Sequence, residues 1–115
     1  MIPDEIAAAL ETCGIPFKEE GWYPYTPPRD SAYAVVIDAE RIVQDDYNEL
    51  HVSTHSYALM LYSPEPVEKR KELRDALLSR GVAVTDIVCN GNNQDTKLFE
   101  TVFGIGGEYR EKWSD

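Results

Sequence analysis

The sequence is first notable for what it lacks. No window of its 115 residues approaches the roughly 18 consecutive apolar residues that a membrane-spanning helix needs, so no membrane partner is expected. Positive charge is scarce: 11 Lys and Arg stand against 21 Asp and Glu, for a formal net charge of −10. Tight binding to a nucleic-acid backbone requires clustered Lys and Arg, so that class of function is excluded. The same charge keeps the chain soluble by self-repulsion. There are only two cysteines, Cys13 and Cys89, and neither belongs to a Cys-x-x-Cys pair. Free thiols are their expected state. The opening Met1-Ile2-Pro3-Asp4-Glu5 has no positively charged n-region, so no signal peptide is expected and synthesis is expected in the cytoplasm. No internal repeat or linker divides the chain. A single domain over residues 1–115 is expected, with a polar tail at about 108–115.

What is present is enough for a core. Hydrophobic residues make up 43% of the chain and aromatics 10%, which excludes a disordered composition. Ile6, Leu10 and Cys13 recur at helical spacing, predicting a helix over residues 4–13 that Gly14 stops and Ile15 folds back upon. A short strand is expected at 15–19. Pro24, Pro27 and Pro28 then exclude regular structure over residues 20–32. The β-branched run at 33–38 predicts a strand, residues 38–40 a turn, and residues 41–45 the return strand of a hairpin. The longest strand is expected at 49–62, with residues 57–62 apolar on both faces as in a sheet covered on each side. Ser63 as N-cap and Pro64 at the first position predict a helix over 65–80, stopped by Gly81, with Val82 packing on Leu77. Strands are expected at 82–88 and 98–105, joined by a turn at 90–95, and Gly106-Gly107 ends the last. The sum is an α+β domain in the order α-β-β-β-α-β-β: an antiparallel or mixed sheet of four to five strands packed with two helices.

Residues that could carry chemistry are few. His51 and His55 lie four apart, but in a strand that spacing spans roughly 13 Å, too far for easy shared ligation. Asp45-Asp46, near Asp38 and Glu40, lacks the spacing of a calcium loop and reads by itself as a solvated hairpin end. Gly104-Ile105-Gly106-Gly107 has no helix after it that could hold a phosphate. Cys13 points inward as a core thiol. Trp22, Tyr23 and Tyr25, in the proline-rich loop, either mark a binding surface or cover the edge of the core, and the two readings stand level. No catalytic residue, metal site or cofactor is expected, and the chain does not read as an enzyme.

One succession of segments resembles a known family. Tyr33-Ala34-Val35-Val36-Ile37-Asp38 is followed by Gln44-Asp45-Asp46-Tyr47 and then by Tyr57-Ala58-Leu59-Met60-Leu61-Tyr62-Ser63. An acidic helix with Glu68, Leu73 and Leu77 comes next, and Lys97-Leu98-Phe99-Glu100-Thr101-Val102-Phe103 closes the pattern. Over roughly residues 15–105 this resembles small tail proteins of Gram-positive prophages. Those are similar in turn to the tail terminator, or tail completion, proteins of long-tailed phages. Ala32 stands where the family usually has Pro, and Gln44 where it often has Ala.

The resemblance implies a structural virion component. It would form a ring of identical subunits, commonly a hexamer, at the end of the tail tube, stopping tube polymerisation and joining the tail to the head. Its partners would be itself, the tail tube protein and the head–tail connector protein. Its location would be the virion, after synthesis in the host bacterial cytoplasm. DNA would pass through the lumen without specific binding, and an acidic lumen would repel its phosphates. The expected contact residues are Trp22, Tyr23, Tyr25, Asp45, Asp46, Asn92, Asn93 and Gln94, on the loops at 20–32 and 90–97 and at the acidic pair. Two other classes stand beside this reading. One is a small acidic adaptor or immunity-type module steered to a basic partner. The other is a small enzyme or ligand-binding domain, which would require a pocket with convergent polar groups.

Overall fold

The computed structural model describes the backbone of residues 2–28, 30–44 and 50–112, and the side chains of 2–28, 30–38 and 56–106. Its elements follow the expected order: α1 (Asp4–Thr12), β1 (Phe17–Glu19), β2 (Tyr33–Gln44), β3 (Leu50–Ser63), α2 (Glu68–Ser79), β4 (Val84–Asn92) and β5 (Phe99–Lys112). The strands form one five-stranded sheet ordered β1-β2-β3-β5-β4. β1 runs parallel to β2, while the other neighbours are antiparallel, so the sheet is mixed and the fold α+β.

Strand alternation divides the side chains between two faces. Val36, Leu59, Phe103 and Ile87 are in register across β2, β3, β5 and β4. On either side of that row, Ala34 and Leu61 pair, as do Tyr57 and Ile105. All of these face the helices. Ile6, Ala9 and Leu10 of α1 and Leu73 and Leu77 of α2 close over them in one cluster, and Phe103, Leu59, Leu73 and Leu77 are fully buried.

Both helices end by the same device. Gly14 takes φ 66° and Gly81 φ 76°, left-handed values that glycine adopts without a Cβ penalty. The Ile15 amide donates to the Leu10 carbonyl at 2.9 Å, and the Val82 amide to the Leu77 carbonyl at 3.0 Å. Each stop thereby turns an apolar residue, Ile15 or Val82, back into the core. α2 also completes the end of α1: Lys69 Nζ donates to the Cys13 carbonyl at 2.8 Å and Arg80 Nη2 to Thr12 Oγ1 at 3.0 Å. These cations meet the negative end of the α1 dipole.

The structure corrects five expectations. The turn at 38–40 and the separate return strand at 41–45 do not form. β2 runs unbroken through Asp38-Ala39-Glu40, which contain no Gly, Asn or Pro to force a reversal, and pairs with β3 from Tyr33–Tyr62 to Gln44–Leu50. The second helix starts at Glu68 rather than 65, because Ser63 remains buried in β3. Ser63 Oγ accepts the Glu65 amide, and the Glu65 carboxylate takes over the capping by accepting the Val67 and Glu68 amides. Those backbone bonds, led by that from Val67, hold the Glu65 carboxyl below its usual range. The fourth strand is displaced to Val84–Asn92, carrying through the first residues of the expected 90–95 turn by an irregularity between Cys89 and Gly91. The turn itself is organised by Asn93, whose Oδ1 accepts the amides of Asp95 and Thr96 at 2.9 and 3.2 Å.

Gly106-Gly107 do not end the last strand. They lie in a bulge between the Tyr57–Ile105 and His55–Tyr109 pairs, and β5 continues through much of the expected polar tail to Lys112. Finally, the apolar stretch at 57–62 is not covered by helices on both sides. α1 and α2 belong to one core cluster on a single face. Trp113 lies outside the described residues, as do the side chains of His51 and His55.

Two substitutions check this account by urea unfolding. Phe103→Ala should cost about 3–5 kcal/mol, as expected for emptying a fully buried aromatic site. No atom lies within 4 Å of a Cβ built on Gly81, so Gly81→Ala should lose about 1–2 kcal/mol through backbone strain alone. Gly81→Asn should recover part of that loss, because Asn tolerates the left-handed region better.

Candidate binding site

Three cross-strand rows with described side chains lie on the sheet face away from the helices. Val35, Met60, Val102 and Val88 form the central row. Ile37, Ala58, Gly104 and Asp86 lie on one side of it, and Tyr33, Tyr62 and Glu100 on the other. An antiparallel face turned to solvent ordinarily alternates to polar residues. Here its centre is apolar and half-buried, and Val88 is 46% exposed.

The proline-rich loop folds over the Tyr33 end of this face. Trp22 Nε1 donates to the Ala34 carbonyl at 3.1 Å, which pins the indole beside the sheet. Its ring meets Tyr33 edge-on, centroids 5.6 Å apart at 76°. Tyr33 in turn stacks on its cross-strand neighbour Tyr62 at 5.0 Å and 22°. From β1, Lys18 Nζ lies 5.7 Å from the Trp22 ring centre and 4.5 Å from that of Tyr25.

Opposite the loop, Asn90 Nδ2 donates to Glu100 Oε1 at 2.6 Å. Burial, and then the hydrogen-bonding carboxylate of Glu100 alongside, push the Tyr62 phenol well above its ordinary value. Burial, followed by the Glu100 charge, raises Tyr33 as well. A cleft of about 490 Å³ opens between these groups, with Trp22, Tyr33, Tyr62 and Glu100 in its lining and Asn92 and Asn93 also contributing. A second hollow of about 400 Å³ adjoins it, sharing Pro27, Tyr33 and Thr96.

The two loops expected to make contacts therefore meet at one place. Trp22, Asn92 and Asn93 are brought together at the cleft. Tyr23 is 96% exposed and does not line it, and Tyr25 is held outside it by Lys18. Gln94 sits on the exposed turn beyond Asn93 and does not line it either. Asp45 and Asp46 lie outside the described residues. Tyr33, Tyr62 and Glu100 were missed by sequence reasoning, and Asn90 was expected only as part of the 90–97 loop. A Tyr at one end of each of two strands and the one acid in the expected final strand at 98–105 were the available signals, but they point to a site only once the register is known.

The arrangement offers aromatic surface, a carboxylate and amide groups, which together can hold a group. Cys13 is buried, and its thiol is raised by that burial and by the charge of Glu72, so it is a poor nucleophile. Cys89 is exposed, with Arg70 Nη1 at 3.0 Å from its sulfur. Among the described residues no group of three or more His, Cys, Asp or Glu converges.

The phenols set an alkaline limit on stability. Tyr62 titrates higher in the folded chain than its ordinary value of 10.0, so its contribution is complete below that pH and is lost as pH rises above it. In melting curves taken from about pH 9 to about pH 12, Tyr62→Phe should show a shallower alkaline fall than the parent chain. Identical falls would mean that the phenol is solvated. No family model, curated protein or solved structure matches this chain, so the reading of the cleft rests on its own geometry.

Proposed function

We propose that the chain is a structural subunit that closes with copies of itself into a ring. In the setting its sequence resemblance implies, that ring would sit at the end of a phage tail tube, between the tube protein and the head–tail connector. The observation that carries the reading is the sheet face bearing Val35, Ile37, Met60 and Val102, which no helix among the described residues covers. A contiguous apolar face on an acidic chain is surface kept for a neighbour.

Two further features support it. The outer edge of β4 carries no strand among the described residues, and β1 pairs with β2 over only Ala34–Val36. The sheet thus has unfinished edges on opposite sides, which is what a head-to-tail ring contact uses. The molecule is also elongated, at 52 × 32 × 22 Å with a radius of gyration of 15.9 Å. A compact chain of about this size would have roughly 13 Å. β2, β3 and β5 supply the excess by running past the helix-covered body, paired out to Val52–Lys112. The net charge of −10 suits a lumen through which DNA passes without adhering.

Light scattering over a wide concentration range, with electron micrographs of the large species, tests the reading. A discrete closed ring is expected. Met60→Glu, in the middle of the uncovered face, should return the mass to the 13.0 kDa of one chain while leaving the circular dichroism unchanged. A parent chain that stays monomeric throughout would sink the ring and leave the adaptor reading in its place.

A further inference from the structure

Glu100 sets the cleft apart from an ordinary aromatic hollow. Its carboxylate is half-buried, and among the described residues it has no ion pair. Two neutral donors reach it: Asn90 Nδ2, at 2.6 Å from one oxygen, and the Tyr62 hydroxyl. An ionised carboxylate can accept about four hydrogen bonds, so capacity remains on the side facing the cleft. A half-buried charge without a counter-charge is costly, and an arriving cation would offset that cost. Burial first, and the Glu100 carboxylate after it, raise the phenols of Tyr33 and Tyr62 beside the cleft.

The walls fit a particular cation. Trp22, Tyr33 and Tyr62 present ring surface and edges, on which a planar guanidinium stacks better than a compact ammonium. A guanidinium also matches a carboxylate with two parallel hydrogen bonds. The chain already holds one of its own cations, Lys18, against the outer side of the aromatic cluster, on Trp22 and Tyr25. The volume of about 490 Å³ admits a long side chain, and Asn92 at the lining offers an amide oxygen to a remaining N–H donor. A chain of net charge −10 draws basic proteins toward it.

We infer that the cleft over the Tyr33–Tyr62–Glu100 row is a socket for an arginine side chain presented by a basic partner protein. The inference rests on the reading of this face as an assembly surface and names a partner chemistry for it, distinct from the contacts between copies. A neutral sugar would use the aromatic rings and amides but leave the Glu100 charge unmatched.

The test uses Trp113→Phe, which leaves Trp22 as the single tryptophan of the two in the chain. Its emission is followed while N-acetylarginine amide is added. Saturable binding is expected, with a dissociation constant on the order of 1 mM for so small a ligand. N-acetylcitrulline amide, which has the same shape without the charge, should bind at least tenfold more weakly. Glu100→Gln should weaken arginine binding at least tenfold with an unchanged melting temperature. Glu100→Asp, which keeps the charge but withdraws it by one methylene, should fall between the two and serves if the Gln variant does not fold. Equal binding of citrulline, unchanged binding in Glu100→Gln, absence of saturation, or saturation by maltotriose but not by arginine would each overturn the socket. Light scattering of the same samples separates the two proposals. A ring without arginine binding removes the socket alone, and arginine binding by a permanent monomer removes the ring alone.

Discussion

The fold hangs on one line of side chains, Val36, Leu59, Phe103 and Ile87, which cross four strands in register beneath the helices. A one-residue slip anywhere along that line would send an entire strand's apolar set to the other face. α1 and α2 hold the register from above, and each is stopped so that the next residues, Ile15 and Val82, enter the same cluster. The helix ends therefore do more than terminate helices. They aim the segments that become β1 and β4 at the sheet from the same level of the core.

Because the helices cover one face only, the alternation that builds the core also builds the other surface. Leu59 and Leu61 of β3 look inward, and Met60 and Tyr62 between them look out. The neighbours of Tyr62 are then fixed: Tyr33 on one side and Glu100 on the other. The cleft is thus a by-product of register, roofed by whatever the loops bring. Here that is an indole tied to the Ala34 carbonyl and an asparagine tied to the carboxylate. Burial between these groups, and the Glu100 carboxylate after it, displace the Tyr62 phenol upward.

The sequence was most legible where the signal was local. Gly14 and Gly81, with an apolar residue directly after each, announced both helix stops, and the order of elements followed. Legibility failed where a distant partner decides. Asp38-Ala39-Glu40 resembles a turn in isolation, yet β3 supplies a complete set of pairing partners and carries β2 straight through. Gly106-Gly107 resemble an end, yet pairing with β3 resumes at Tyr109 and converts the pair to a bulge. Ser63 resembles a cap, but burial holds it in β3 and the task passes to Glu65. At the cleft, Trp22 and the asparagines stood out by composition. Glu100, Tyr33 and Tyr62 did not, because nothing in the chain itself places residues 33, 62 and 100 side by side.

The parallel pairing of β1 with β2 bears on how this chain can be altered. Two antiparallel strands can be joined by a tight turn, but parallel neighbours require the chain to travel back the full length of the first before the second begins. Residues 20–32 are that return journey, and Trp22 is fastened to Ala34 near its destination. The proline-rich segment is therefore not an ornament inserted between strands that could be trimmed away. Shortening it would force β1 to detach or reverse, whereas its exposed tip at Tyr23 can accept changes of side chain freely. Variation in this segment is thus open to substitution along the loop, with a minimum length set by topology.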